Sequence, residues 1–538
     1  MRTVLFLIPP ATLGAFFFVF VLGGYSVLDV SNIGWLSNGD PAQHFIGWNF
    51  FRNTPLLQWP LGLNYPYGME ISNSIVYTDS IPIVALFFKI FNTILPLNFQ
   101  YTGLWLLLCL IMQSVVAFYL IYKKTNNYFF SCISSVLFCL SPVLFERLTG
   151  HFALSAHFLL LTAIYFYIHE KRISSWVLLI CFSSLIHFYI TGMILIIYLA
   201  SLINNIDCIY GTKRKSITIV MGIISVLIPL YLVMYSIGYF TVKSGVSGEG
   251  FGQFKTNLNS FFNPLFDYGS YFLPRLSHST GDYEGYSYLG LGIILLYLLS
   301  LIAFIVNKSY KNITKKDKVT LLLFIVILLF SLSNSIYFGD KEVAHIPIPE
   351  CMHNILSIFR SSGRFIWVFY YFLLYLSLIS IYRLLPSRLS CVVILFFTFI
   401  QYIDLSNSIT HIKNRYKTND DISKGLDTIK VSNILSSYKS LQVILPSYFW
   451  DRWSEFGYIA SKNNISINFG YMARVDEYKK EKQLEHLYNS IDSGQLDNQS
   501  VYVFMDSGSL KYVTDRIKID YTINEISGYY FLQPKISH

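Results

Sequence analysis

Apolar runs of roughly 15 to 25 residues alternate with short polar stretches over the first three quarters of the chain, the length a helix needs to cross about 30 Å of hydrocarbon. Residues 4–22, 101–122, 129–145, 152–168, a hairpin of two short helices over 176–206, 217–240, 288–306, 319–337, 365–382 and 389–403 predict about eleven spans. The run 81–95 carries Lys89 in its middle and is only marginally long enough to cross, so it is expected as a helix lying on the outer surface. Charge supports that choice. With 81–95 left out, Lys123 and Lys124, Lys171 and Arg172, Lys213 to Lys215, the loop from Lys308 to Lys318, and Arg383 and Arg388 all fall on the cytoplasmic side. The first run is too long for a signal-peptide core and no small-x-small site ends it, so it is expected to stay as the first span with a cytoplasmic N-terminus.

Residues 31–80, 241–287 and 338–364 then face outward. From residue 406 the pattern changes to alternating elements: a helix over 422–438, a strand over 441–445, a helix over 476–491, and strands over 501–505 and 517–523. The expected architecture is an α-helical multi-pass membrane protein, with a membrane domain over 1–405 and a C-terminal extracytoplasmic α/β domain over 406–538.

Composition narrows the class. Of 538 residues, 54% are hydrophobic and 13% charged, against about a quarter charged in an ordinary soluble domain. The net charge of +9 sits in short clusters between apolar runs and forms no basic stripe, so the partner expected is the bilayer and not nucleic acid. Seven cysteines, none in the tail, show no metal-ligand spacing and read as buried thiols.

Ionisable residues gather at the outer ends of the runs, where charge at membrane depth is costly and faces a cavity or a partner. Gly39-Asp40-Pro41-Ala42-Gln43-His44 reads as a helix start with Asp40 as N-cap and Pro41 as first helical residue, which projects Asp40 and His44 from one turn. Asp79 precedes a helix opened by Pro82, and Glu284 precedes another span; each is read as a cap or, with His44, as a ligand to a divalent metal ion. Glu146, Arg147, His151 and His157 surround one outer turn, with packing the ordinary role for a lone histidine. Arg360 and Arg364, four apart at a helix start, suit phosphate oxygens, while span-flanking arginines also anchor at headgroups.

The order of these features resembles the GT-C superfamily of polyprenyl-phosphate-sugar-dependent glycosyltransferases. More narrowly, GDPAQHFIGWNFFR, WPLG, YTDSIP, HFALSAHFLLL, EGYSYLG and FRSSGRFIW are similar to a bacterial family placed in that superfamily. The resemblance implies an inverting transfer in which Asp40 matches the first-loop aspartate as catalytic base. It makes Asp79 a second acidic residue, and Arg360 and Arg364 ligands of the carrier phosphate. His44 is a catalytic candidate with Asp40 and Asp79, and His151, His157 and Glu284 are further candidates to face the cavity. The partners implied are a polyprenyl-phosphate-linked sugar donor and a glycan acceptor, with O-antigen the preferred surface polysaccharide. The place implied is the periplasmic face of a bacterial inner membrane. Asp40 is expected to share an external cavity with the two arginines. The rival classes are a polysaccharide polymerase or ligase, which would place function in 241–287, a transporter or flippase, for which no paired inverted halves are seen, and a non-catalytic membrane scaffold, the default if Asp40 proves dispensable.

Overall fold

The computed structural model describes residues 2–71, 74–209, 215–243, 250–306, 314–445 and 451–535. Lys213, Arg214, Lys308 and Lys311 of the expected basic loops lie outside the described residues. The chain divides into two compact units.

The first unit comprises Met1–Leu28, Thr102–Tyr231 and Ser247–Lys417 and contains most of the apolar helices. Among the described residues six helices are long and apolar enough to cross a membrane, or seven if one bent pair counts as a span, in place of about eleven. The differences have local causes. The run 129–145 is two helices, Tyr128–Cys139 and Pro142–Leu148, bent by 52°; Pro142 opens the second, where its missing N–H costs nothing. In 152–168 the first residues form a 3₁₀ turn, Phe152–Ser155, leaving only Phe158–Ile168 as α-helix. The hairpin is the short Ile173–Ser184 followed by the long Phe188–Ile209. Lys315–Leu332 spends its first turn on Lys315, Lys316, Asp317 and Lys318, stabilised by a Thr314–Asp317 capping box.

Helices pack closely where glycine removes the side chain. A Cβ on Gly14 of Arg2–Leu22 would lie 2.5 Å from the Cα of Ile111 in Thr102–Thr125. The stretch 338–364, expected to face outward, is not plain loop. Strands β1 (Ser335–Phe338) and β2 (Lys341–His345) form an antiparallel pair, and the helix Glu350–Leu356 follows.

The second unit joins Asp29–Tyr101, Leu232–Val246 and Thr418–His538. Its centre is the helix Gly39–Phe51, buried on every side from Pro41 onward, with Gln43, His44 and Asn49 among the buried residues. A Cβ on Gly47 would lie 2.3 Å from Thr78 Oγ1, so glycine sets how closely the turn Ile75–Thr78 approaches. On another side packs the helix Trp453–Lys462, with Asn49 Nδ2 donating to Ser461 Oγ at 2.8 Å.

The surface stretch 81–95 contains only the eight-residue helix Pro82–Lys89 and a 3₁₀ turn, Asn92–Ile94. Lys89 turns inward. Its Nζ donates to Thr54 Oγ1 at 2.6 Å and lies 3.9 Å from the Phe51 ring centroid.

The C-terminal part holds a five-stranded sheet in the order β4-β3-β5-β7-β6, with β3 Ser440–Val443, β4 Ser466–Ile467, β5 Ser500–Phe504, β6 Tyr521–Ile526 and β7 Tyr529–Pro534. β3 runs parallel to β4 and β5, and β7 antiparallel to β5 and β6. Ser527 and Gly528, both at positive φ, close the β6–β7 hairpin in two residues. Helix Glu477–Asp492 has Asp476 as N-cap, accepting from the Lys479 amide at 3.2 Å. The stretch 422–438 shortens to Thr428–Leu435, because Asp427 caps it and the preceding Lys424 and Gly425 take positive φ. Ile444, Ile491, Leu496, Tyr502, Phe504, Val513 and Leu532 form the core beside the sheet.

Candidate functional site

In the second unit, Asp40 is the second residue of the helix Gly39–Phe51, not its N-cap. Asn38 takes the cap position with extended backbone, and Gly39 at φ 60° turns the chain into the helix, a conformation suited to glycine. Pro41 is accordingly third. Relieved of capping, the half-buried Asp40 carboxylate accepts a hydrogen bond from the Tyr471 hydroxyl at 3.3 Å. His44 lies one turn on, 4% exposed.

The acidic turn around Asp79 meets the same helix. Ser80 Oγ donates to the His44 carbonyl at 2.8 Å and shares a 2.8 Å bond with Thr78 Oγ1. Asp79 does not cap the helix opened by Pro82: Ile81 occupies that position, and Asp79 ends the turn Ile75–Thr78. Both Asp79 and Ile81 have φ 51°. For a β-branched residue such as Ile81 this is a strained conformation, costing about 1–3 kcal/mol, of the sort found at binding and catalytic sites. A His44 ring nitrogen and an Asp79 carboxylate oxygen lie within 4.8 Å of each other. They offer a divalent ion two ligands of the four or more it takes. Glu284 joins no such group, since both its oxygens are taken by arginines.

That arginine cluster belongs to the first unit. Glu284 sits in the 3₁₀ turn Asp282–Gly285, well before the helix Leu291–Val306, so it does not cap that span. Its Oε2 accepts from Arg364 Nε at 2.8 Å and its Oε1 from Arg364 Nη2 at 2.7 Å, a two-pronged pair. Arg147 Nη1 reaches Oε2 at 3.4 Å, and Arg147 Nη2 lies 3.8 Å from Glu146. Burial by itself would raise the Glu284 carboxyl, but Arg364 and Arg147 hold it below the usual carboxylate range. Lys255 and Asp282 make a second buried pair at 3.5 Å in the same loop.

The remaining sequence-predicted residues of this unit separate by role. Arg364 is 5% exposed and its guanidinium lies 4.6 Å from the Tyr189 ring centroid. Arg360, one turn earlier and half-buried, makes no hydrogen bond or ion pair among the described residues. His157 is fully buried, its Nδ1 2.7 Å from the Tyr371 hydroxyl and its ring 4.7 Å from that of Trp367. His151 stands at φ 26° before the turn Phe152–Ser155 and acts electrostatically on Glu284.

Tyr471 escaped sequence reasoning: it lies 431 residues from Asp40 in a tail where tyrosine is common. Arg147 was visible as a charge at the outer end of an apolar run, but its partner was not.

The fold and these clusters define a protein with, among the described residues, six or seven helices able to span a membrane, a small mixed sheet, and buried polar clusters at or beside the ends of those helices. A family model described as a domain of unknown function (DUF6311) matches residues 11–406, and the DUF6311 C-terminal domain matches residues 431–534. The chain belongs to the DUF6311 family. No curated protein sequence matches it significantly. Among solved structures it is similar to ArnT from Cupriavidus metallidurans in the apo state, at 10% identity and a TM-score of 0.48 over 96% of this chain and 97% of that one. It is also similar to the archaeal oligosaccharyltransferase AglB from Archaeoglobus fulgidus, in complex with an inhibitory peptide and a dolichol-phosphate. There the identity is 11% and the TM-score 0.39, over 98% of this chain and 74% of that one.

Proposed function

We propose that this protein is an inverting membrane glycosyltransferase. It moves a sugar from a polyprenyl-phosphate donor to a glycan acceptor, a surface polysaccharide such as O-antigen, on the periplasmic face of a bacterial inner membrane. The observation that carries the reading is the Asp40 carboxylate, freed from helix capping and oriented by a hydroxyl, one turn from His44. That arrangement is what a general base requires.

In the reaction, the acceptor hydroxyl oxygen forms a bond to the anomeric carbon as the bond from that carbon to the donor phosphate breaks. The bonding pair leaves with the polyprenyl phosphate, and the hydroxyl proton passes to Asp40. Carbon inverts because attack and departure occur on opposite faces, through an oxocarbenium-like transition state. The phosphate is already a good leaving group and needs no acid. It needs a fixed positive charge, which Arg360 supplies. Arg364 supports that charge from its pair with Glu284. His44 and Asp79 orient the acceptor's hydroxyls beside the base.

The test is transfer by the purified full chain from a synthetic polyprenyl-phosphate sugar to a glycan acceptor. Asp40→Asn keeps the size and shape of the side chain and removes the base, so it is expected to lower turnover at least a hundredfold while the protein stays folded and inserted. Near-normal turnover in Asp40→Asn would end the reading.

A further inference from the structure

The Asp40 carboxylate meets a side chain that the first external loop does not provide. Tyr471 follows β4, and its hydroxyl donates to Asp40 Oδ1 at 3.3 Å. Its own position is fixed from several directions. Its amide donates to the Tyr67 hydroxyl at 3.0 Å. Tyr67 is 1% exposed and stacks on Phe50 of the Asp40 helix, with ring centroids 4.9 Å apart. Gly470 makes this approach possible, because a Cβ there would lie 2.4 Å from the Tyr67 ring.

Two residues on, the Ala473 amide donates to the Tyr77 carbonyl at 2.7 Å, which ties the segment to the turn that carries Asp79. The Trp453 ring, 5.3 Å away, packs beside the Tyr471 ring. Backbone and ring are thus both held, and the hydroxyl is delivered to the carboxylate as a pre-set donor. A neutral O–H donor can hold a carboxylate in one orientation without adding a charge that competes for the proton it must accept.

We infer that Tyr471 is a positioning residue for the Asp40 base, so that the C-terminal segment supplies a side chain on which the first-loop site depends. This rests on the glycosyltransferase reading. It gives the tail a part in turnover and not only in folding.

The experiment compares Tyr471→Phe with Trp453→Phe in the purified full chain, alongside Asp40→Asn. Tyr471→Phe keeps the ring against Trp453 and removes only the donor. Its kcat is expected to fall about tenfold, the worth of one hydrogen bond to a charged group. KM for donor and acceptor should stay within about twofold, and the thermal midpoint should fall by no more than a few degrees. Trp453→Phe loosens the same packing with the hydroxyl in place and should leave kcat near wild type.

A wild-type kcat in Tyr471→Phe overturns the inference while the transferase reading stands. So does an equal loss of kcat in both variants, which would make Tyr471 a packing residue. Activity retained in Asp40→Asn brings down the transferase reading itself, and the role of Tyr471 with it.

Discussion

Arg364 and Glu284 face each other through two parallel hydrogen bonds of 2.8 and 2.7 Å, both side chains almost fully buried. Arg147 closes on the same carboxylate from the other side at 3.4 Å. One carboxylate therefore answers two buried guanidinium groups, with the Glu146 carboxyl a further 3.8 Å from Arg147.

Removing that carboxylate's charge leaves two buried cations short of a partner. Glu284→Gln is expected to destabilise the protein by about 3–5 kcal/mol, the cost of breaking a buried pair from one side. Thermal unfolding in detergent measures it. The folded Glu284 carboxyl titrates below its ordinary value of 4.5. Its contribution is therefore full above about pH 4.5 and is lost as pH falls below that value, where the unfolded chain binds the proton first. The wild-type midpoint should drop through this window more steeply than that of Glu284→Gln.

The two arginines four residues apart should behave differently on truncation. Arg364→Ala abandons Glu284 in a buried site and should lower the thermal midpoint. Arg360→Ala removes a half-buried cation with no partner among the described residues, so the midpoint should hold. Donor KM should instead rise about tenfold, with acceptor KM unchanged, as expected for loss of a charge-assisted contact to phosphate. Equal rises in both KM values would count against Arg360 as a phosphate ligand.

Lys89 offers an alkaline counterpart. Burial pushes its ammonium down to about 8. Between about pH 8 and the ordinary value of 10.5 the unfolded chain holds a proton that the folded chain has released, so stability rises with pH across that interval. Lys89→Met keeps a long unbranched side chain, removes the titrating group and should abolish the rise, read as thermal midpoints at pH 7.5, 9 and 10.5. A slope unchanged in Lys89→Met would assign it to another group.

Much of the chain was legible one-dimensionally. The expected spans 365–382 and 389–403 appear as Ile366–Leu384 and Ser387–Asp404, and the charged helix 476–491 as Glu477–Asp492. Uninterrupted hydrophobicity or a clear cap bounded each of them. Legibility failed where a local break mattered more than average hydropathy, as at the bend before Pro142 and the turn at Phe152. The β6–β7 hairpin was half seen, because β7 reads as an aromatic tail until it is paired with β6.

Asp40, Asp79, Glu284 and Arg364 could all be picked out along the chain, because a charge beside an apolar run costs energy that something must offset. What offsets it could not be read there. Glu284 lies 80 residues before Arg364, and Asp40 lies 431 residues before Tyr471. Hydropathy and helix signals are local and act over a few turns, so the sequence by itself determined that the chain is helical, apolar and charged at the ends of its runs. The partner of each charge depends on which distant segments pack together, and only the tertiary structure decided that.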